Sequence, residues 1–145
     1  MKLSFIALAA VGAALLSAAP AAAQPGVVRT QLDSAATLMG NEGFRAQDDF
    51  VTGTLAAGGE EEFELELQGG RTYIIVGVCD ADCSDLDMAL TTAGGEDVDS
   101  DYELDDVPMV MVEVAAGQVY RLKVEMATCD GNCHYGVGVF ANGGE

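Results

Sequence analysis

The sequence contains no tryptophan, one histidine and only six lysine or arginine residues among 145 positions. Against these stand 24 acidic residues, and the formal charge of −18 repels the phosphates of nucleic acids and anionic lipids. We therefore predict no nucleic-acid partner, and a surface that suits cations, basic partners or plain solvation. Zinc is disfavoured too, because a single histidine and the absence of Cys-x2-Cys spacing leave too few suitable ligands.

Catalytic motifs are also lacking. Beyond residue 23 the chain has three serines, one histidine and no Gly-x-Ser-x-Gly sequence, so it offers no recognisable nucleophile with a base and an orienting group. No glycine-rich phosphate loop or dinucleotide fingerprint occurs. A glycosidase needs two carboxylates, but carboxylates are too abundant here to single out a pair, and sugar-stacking aromatics are few. We predict that the protein is not an enzyme.

The single long apolar run lies at the N-terminus. Lys2 precedes an uncharged stretch from Leu3 to Leu16, and Ala21-Ala22-Ala23 supplies the small residues of a cleavage site. The run is short for a membrane span of about 20 residues. We predict a signal peptide over 1–23, cleavage between Ala23 and Gln24, and a periplasmic or extracellular protein with no membrane span in the mature chain. The alternative is an uncleaved anchor helix.

Two hydrophobic periodicities divide the rest of the chain. Val28, Leu32, Ala35 and Met39 recur at steps of four, three and four, which predicts an amphipathic helix from residue 27 to about 46, ended by nearby glycines. From residue 50 onward the period is two, as where aliphatic residues alternate with glutamates over 62–67. Such alternation is typical of strands with one buried face.

Gly-rich turns separate about eight of these alternating runs. Short strands at even spacing favour a sandwich or barrel. We predict an all-β, jelly-roll or Greek-key β-sandwich with one N-terminal amphipathic helix, organised as a helical segment over 24–48 and a sandwich domain over 49–145. The predicted strands lie near 50–55, 61–67, 72–78, 86–92, 96–99, 108–114, 118–126 and 134–140.

The four cysteines predict disulfide bonds, because an exported chain folds in an oxidising compartment. Two Cys-x3-Cys spacings favour the local pairs Cys79–Cys83 and Cys129–Cys133. The alternatives are 79–129 with 83–133, and 79–133 with 83–129. Each spacing follows a Gly-x-x-Tyr sequence and an apolar run, so the chain carries a weak internal echo, which indicates either two related halves or convergent hairpin chemistry.

Aspartates surround the first cysteine pair and fill the segment after Gly94-Gly95. Asp97-x-Asp99-x-Asp101 has the spacing that opens an EF-hand loop, but Tyr102 and Pro108 stand where glycine and the bidentate glutamate are required. Calcium is nevertheless the one cofactor that the sequence suggests, since it prefers oxygen ligands. The alternative is that these side chains cap turns by bonding their own backbone. The predicted metal ligands are Asp85, Asp87, Asp99, Asp101 and Asp105.

Several short motifs resemble the bacterial pre-peptidase C-terminal (PPC) domain family over roughly residues 50–140. They are Gly53-x-Leu55, Phe63-x-Leu65, Gly70-x-x-Tyr73, Asp85-Leu86-Asp87-Met88-x-Leu90, Asp99-x-Asp101, Pro108 and Gly117-x-x-Tyr120. The resemblance implies a jelly-roll-like sandwich on secreted proteins, often appended to hydrolases, with relatives that bind collagen, polysaccharide or calcium. It assigns Asp85 and Asp87 as carboxylates at a strand entry that order a loop or hold a cation.

This sequence departs from the family pattern in having no catalytic domain, two Cys-x3-Cys corners and few aromatics. The scarcity of aromatics weakens an assignment of sugar or collagen binding, since both use exposed aromatic platforms. We predict a non-catalytic binding or accessory module that contacts an unknown protein or polysaccharide. The alternatives are an acidic structural or protective envelope protein and, less favoured, a small carboxylate-based hydrolase.

Overall fold

The computed structural model describes residues 24–143, so the predicted signal peptide over 1–23 lies outside the described residues. One α-helix, α1 (Gln24–Asn41), precedes nine strands. The strands are β1 (Arg45–Ala46), β2 (Val51–Ala56), β3 (Glu60–Leu67), β4 (Arg71–Cys79), β5 (Cys83–Thr92), β6 (Asp97–Asp101), β7 (Met109–Val114), β8 (Gln118–Cys129) and β9 (Asn132–Asn142).

The strands form two antiparallel sheets. Sheet A has the order β7-β4-β9, and β1 and β2 both pair with the far edge of β9, one after the other. Sheet B has the order β3-β8-β5-β6. Eight strands connected in this order form the double Greek key of a jelly roll. The predicted all-β sandwich with an N-terminal helix is therefore confirmed.

Period-two alternation places the core between the sheets. In β7 the burial pattern alternates strictly, with Val110, Val112 and Val114 buried and the residues between them exposed. The same alternation in β5, β8 and β9 directs their aliphatic and aromatic side chains into one shared cluster. The largest fully buried members of that cluster are Ile75, Leu86, Met88, Leu90, Leu122, Met126 and Tyr135.

The helix packs on the outer face of sheet A. Val28 and Leu32 are fully buried there, in a second apolar cluster that includes Phe140 of β9. Gly136 of β9 makes this close approach feasible, because a Cβ atom at that position would lie 2.7 Å from side-chain atoms of both Val28 and Leu32. The helix ends at Asn41, earlier than predicted, and residues 45–46 instead pair with β9.

The internal echo has a structural counterpart. Exchanging β2 with β6, β3 with β7, β4 with β8 and β5 with β9 converts the order of sheet A, β2-β9-β4-β7, into that of sheet B, β6-β5-β8-β3. The two Gly-x-x-Tyr sequences thus begin equivalent central strands, and Tyr73 and Tyr120 are both buried. The echo marks equivalent positions in the two halves of the sandwich.

Both cysteine pairs lie where the chain crosses from one sheet to the other. The Cys79–Cys83 disulfide spans the turn from β4 to β5, and the Cys129–Cys133 disulfide spans the turn from β8 to β9. The Cα atoms are 5.9 Å and 6.1 Å apart, as in ordinary disulfides. Cys83 lies opposite Cys129 across the β5–β8 pair, so the two corners are neighbours. The predicted local pairing is confirmed.

Asp80 links these two corners. Its buried carboxylate accepts hydrogen bonds from the backbone N–H of His134 at 2.8 Å and of Asp82 at 3.2 Å. Its own backbone N–H donates to the carbonyl of His134, and the N–H of Asp130 donates to the carbonyl of Asp82. A charge-assisted bond to a buried N–H is among the stronger hydrogen bonds in proteins. We call this arrangement the corner lock.

Basic side chains are few and all lie within regular elements. Within residues 24–143 they are Arg29, Arg45, Arg71, Arg121 and Lys123. Lys123 Nζ lies 3.3 Å from a Glu60 oxygen, Arg121 Nε lies 3.9 Å from one of Glu62, and both ion pairs are exposed. Exposed pairs of this kind contribute about 0 to 1 kcal/mol each, so the surface acidity is largely uncompensated.

We expect Asp80→Ala to lower the free energy of unfolding by about 2 kcal/mol, because the partly buried N–H of His134 then loses its charged acceptor. The exposed Asp130→Ala at the neighbouring corner is the matched control and should change stability by less than about 0.5 kcal/mol. Urea denaturation of both variants with the disulfides intact measures the difference. Equal losses in the two variants would show that the corner lock contributes nothing beyond the disulfides.

Candidate functional site

The first two predicted metal ligands lie on the outer face of sheet B. Alternation along β5 sends Leu86 and Met88 into the core and turns Asp85 and Asp87 outward. Asp85 is nevertheless only 8% exposed. Within the described part of the chain, the Oδ1 atoms of Asp85 and Asp87 are both buried and have no hydrogen-bond partner. A buried polar atom without a partner is costly, so these two oxygens are the candidate contacts for a ligand.

Neighbouring carboxylates add negative charge around this pair. Partial burial raises the pKa of Asp87 above its ordinary value, and the negative charges of Asp85, Glu125 and Asp101 raise it further. The ammonium group of Lys123 acts in the opposite direction and is the weakest of these influences. We call this group of four carboxylates the acidic face.

The other predicted metal ligands bond to backbone. Asp99 and Asp101 of β6 each accept a hydrogen bond across to β7, from the N–H of Met111 at 2.8 Å and of Met109 at 2.9 Å. Asp105 accepts one from the N–H of Val107 at 3.0 Å. The first two carboxylates therefore join the adjoining edges of the two sheets, because β6 is the edge of sheet B and β7 the edge of sheet A.

The five predicted ligands consequently divide into two groups. Only Asp85 and Asp87 keep buried oxygens without partners, whereas the other three follow the alternative interpretation of backbone-bonding aspartates. In the described range 24–143, no three His, Cys, Asp or Glu side chains come together in a group that could hold a metal ion. Calcium prefers six to eight oxygen ligands, so its binding here stays a prediction, with the acidic face as its location.

A strip of exposed apolar residues, which the sequence did not reveal, begins directly after Asp101 of the acidic face. The apolar strip extends over ten consecutive positions, and its most exposed member, Leu104, is 89% accessible. The exposure of its two methionines could have been predicted, because they alternate with the valines of β7, whose side chains face the core. For the loop residues no periodicity was available. The strip comprises Tyr102, Leu104, Val107, Met109 and Met111.

Backbone hydrogen bonds hold the loop that carries the apolar strip. The carbonyl of Asp105 accepts from the N–H of Leu86 in β5 at 2.9 Å, and the carbonyl of Pro108 accepts from the N–H of Gly77 in β4 at 2.9 Å. The loop is therefore anchored to both sheets, and the bonds from Asp99 and Asp101 fix the strand that follows it. The strip is a defined surface, which lowers the entropic cost of binding a partner there.

No protein-family model matches the chain, and no curated protein matches it. The resemblance to the pre-peptidase C-terminal domain family therefore stays a prediction from the motifs. Within residues 24–143, the single helix is not apolar enough over its length to cross a bilayer.

The raised pKa of Asp87 predicts how stability changes with pH. The folded state holds the Asp87 proton more tightly than the unfolded state, so the ionised carboxylate destabilises the fold at neutral pH. That penalty falls as pH is lowered through the folded pKa towards the ordinary value of 3.8. We expect Asp87→Asn to melt at a higher temperature than the wild type at neutral pH, and the difference to shrink on acidification.

Asp97→Asn, at an exposed position of β6, removes the same charge and is the control for this experiment. Thermal melting of all three proteins between neutral and mildly acidic pH measures the effect. If the control gains as much as Asp87→Asn, the general surface charge and not the acidic face is responsible.

The calcium prediction can be tested on the same pair. Calcium held by Asp85 and Asp87 should raise the melting temperature of the wild type, because a ligand that binds only the folded state stabilises it. Asp85→Asn should abolish that rise, whereas Asp99→Asn, whose carboxylate bonds the backbone, should retain much of it. A melting temperature that does not respond to millimolar calcium would refute the prediction. A rise that survives in Asp85→Asn would place the ion elsewhere.

Proposed function

We propose that the protein is an exported, non-catalytic binding or accessory module that contacts another protein through the apolar strip. The observation that carries the proposal is the concentration of five exposed large hydrophobic residues on one anchored loop and strand. Side chains of this kind scattered singly are ordinary, but a contiguous exposed group usually marks an interaction surface. Membership of the pre-peptidase C-terminal domain family and a periplasmic or extracellular location are parts of the same proposal.

The charge around the strip indicates the chemistry of the partner. Glu103, Asp105 and Asp106 lie between the apolar members of the loop, and Asp101 of the acidic face directly precedes Tyr102. An interface that joins this surface would have an apolar centre and an anionic rim. A partner with apolar anchors surrounded by lysine or arginine complements it, and the opposite charges would accelerate their encounter.

A protein partner fits this surface better than a polysaccharide does. Polysaccharide sites use exposed aromatic rings as stacking platforms. Among the described residues, Tyr102 is the sole exposed aromatic, while the strip is otherwise built from leucine, valine and methionine. Methionine in particular suits protein contacts, because its flexible side chain adapts to irregular partner surfaces.

The proposal is tested by replacing one anchor of the strip. The partner is first captured by photo-crosslinking from position 104 in the exported compartment and then purified. Leu104→Asp should weaken binding to it by about tenfold or more, since a fully desolvated anchor typically contributes over 1 kcal/mol. Isothermal titration calorimetry at two salt concentrations measures the loss and its ionic component.

Leu38→Asp is the matched control, because Leu38 is a 62% exposed leucine on the helix, outside the strip. It adds the same charge and should leave the affinity unchanged. Equal weakening by both substitutions would overturn the assignment of the strip. If crosslinking from position 104 repeatedly finds no specific partner, the alternative of an acidic structural or protective envelope protein is favoured.

A further inference from the structure

The sandwich is open on the side opposite the apolar strip. The strip lies along the β6–β7 side, whereas β1 and β3 border the other side. Between them is a cleft of about 430 Å³, within the range of ligand-binding cavities. Its apolar lining comes from the core itself, from Leu65, Leu67, Tyr73 and Val139. Asp48, Glu64 and Glu66 contribute carboxylates to its lining.

The strand that borders this cleft is an unpaired edge. Along its eight residues β3 pairs with β8 on one side, and among residues 24–143 no strand pairs with its other side. The preceding strand, β2, turns away to pair with β9 in the opposite sheet. One row of backbone N–H and C=O groups of β3 is therefore available to an added strand.

Over residues 62–67 the two faces of β3 differ in chemistry. Glu60, Glu62, Glu64 and Glu66 are exposed on the outer face. Phe63 and Leu65 point towards the core but are only half-buried, because no neighbouring strand covers this edge. An added strand would need aliphatic side chains on its inner face to complete the core, and cationic side chains on its outer face.

The unbalanced charge lies at the end of β3 beside the cleft. Lys123 forms an ion pair with Glu60, and Arg121 forms one with Glu62. Arg121 lies opposite Glu64 in the strand register, but its guanidinium contacts Glu62. In the described part of the chain, Glu64 and Glu66 form no ion pair. No lysine or arginine of the described residues lines the cleft.

From this edge and cleft, we propose that β3 accepts an added β-strand from a partner segment in which lysine or arginine alternates with aliphatic residues. The segment's backbone would pair with the open edge of β3. Its aliphatic side chains would cover Phe63, Leu65 and the cleft, while its cationic side chains would oppose Glu64 and Glu66. This second surface does not depend on the function proposed for the apolar strip.

The same edge discourages pairing with a second copy of the protein. Antiparallel pairing of two β3 strands would bring the outward glutamates of one copy against those of the other, and like charges directly opposite are destabilising. Charged residues on an edge strand are a common protection against self-association. The glutamates thus select a basic strand while rejecting an identical one.

The experiment uses synthetic peptides with the purified protein. The probe is a fluorescent decapeptide of alternating lysine and valine, compared with a glutamate–valine peptide, with a peptide of the same lysine–valine composition in two blocks, and with an alternating peptide N-methylated on its pairing edge. Fluorescence anisotropy measures affinity, and amide chemical shifts locate the site. We expect the alternating lysine peptide to bind at least tenfold more tightly than the others and to shift amides of β3.

Charge reversal on the protein provides the second test. Glu64→Lys with Glu66→Lys should weaken binding of the lysine–valine peptide about tenfold or more, since each opposed pair contributes roughly 0.2–1 kcal/mol and reversal adds repulsion. Glu96→Lys with Glu113→Lys makes the same change in net charge at exposed positions away from β3 and should have little effect. Circular dichroism confirms that both variants fold.

Four outcomes would overturn the proposal. Equally tight binding of the N-methylated and unmodified peptides would show that backbone pairing plays no part. Equal weakening by the two double variants would show that net charge alone attracts the peptide. Amide shifts confined to the apolar strip would place the peptide on the other side of the sandwich, and dimerisation through β3 would show that a second copy occupies the edge.

Discussion

The sandwich depends on how its chain is held where it crosses between the two sheets. Two turns, β4 to β5 and β8 to β9, make the crossing side by side, and the buried carboxylate of Asp80 bonds backbone groups on both. Since β4 pairs with β9 and β5 pairs with β8, fixing these turns relative to each other fixes the central pairs of both sheets at once. The disulfides hold each turn closed, but the hydrogen bonds join one turn to the other.

Acidic residues serve two physically distinct purposes in this chain. Asp80, Asp99 and Asp101 substitute for backbone carbonyls by accepting N–H groups that strand pairing leaves free. The glutamates of β3 instead remain on the surface, and two of them lack any ion pair within the described residues. A strongly negative composition therefore does not indicate one function, because part of it is internal structural chemistry and part is a surface available to partners.

The sequence predicts the architecture well because burial imposes a period that can be read directly. All eight predicted strands exist, and the disulfides are the local pairs that the Cys-x3-Cys spacing favours. The strand β1 has two exposed residues and no alternation, so no pattern could reveal it. The sequence also could not show which group each aspartate carboxylate bonds. Asp99, for example, accepts from the N–H of Met111 only because the fold brings β6 beside β7. The apolar strip lies mostly in a loop, where neither period applies.

The placement of the basic residues has a consequence for resistance to proteolysis. Proteases that cleave after lysine or arginine require an extended, locally unfolded segment around the scissile bond, and exposed loop tips are their usual targets. Every arginine and lysine between residues 24 and 143 lies in the helix or a strand, so no turn there contains such a bond. Trypsin-like enzymes therefore cleave this part of the chain only after the helix or a strand unfolds locally. The rate of cleavage then depends on the free energy of that local unfolding.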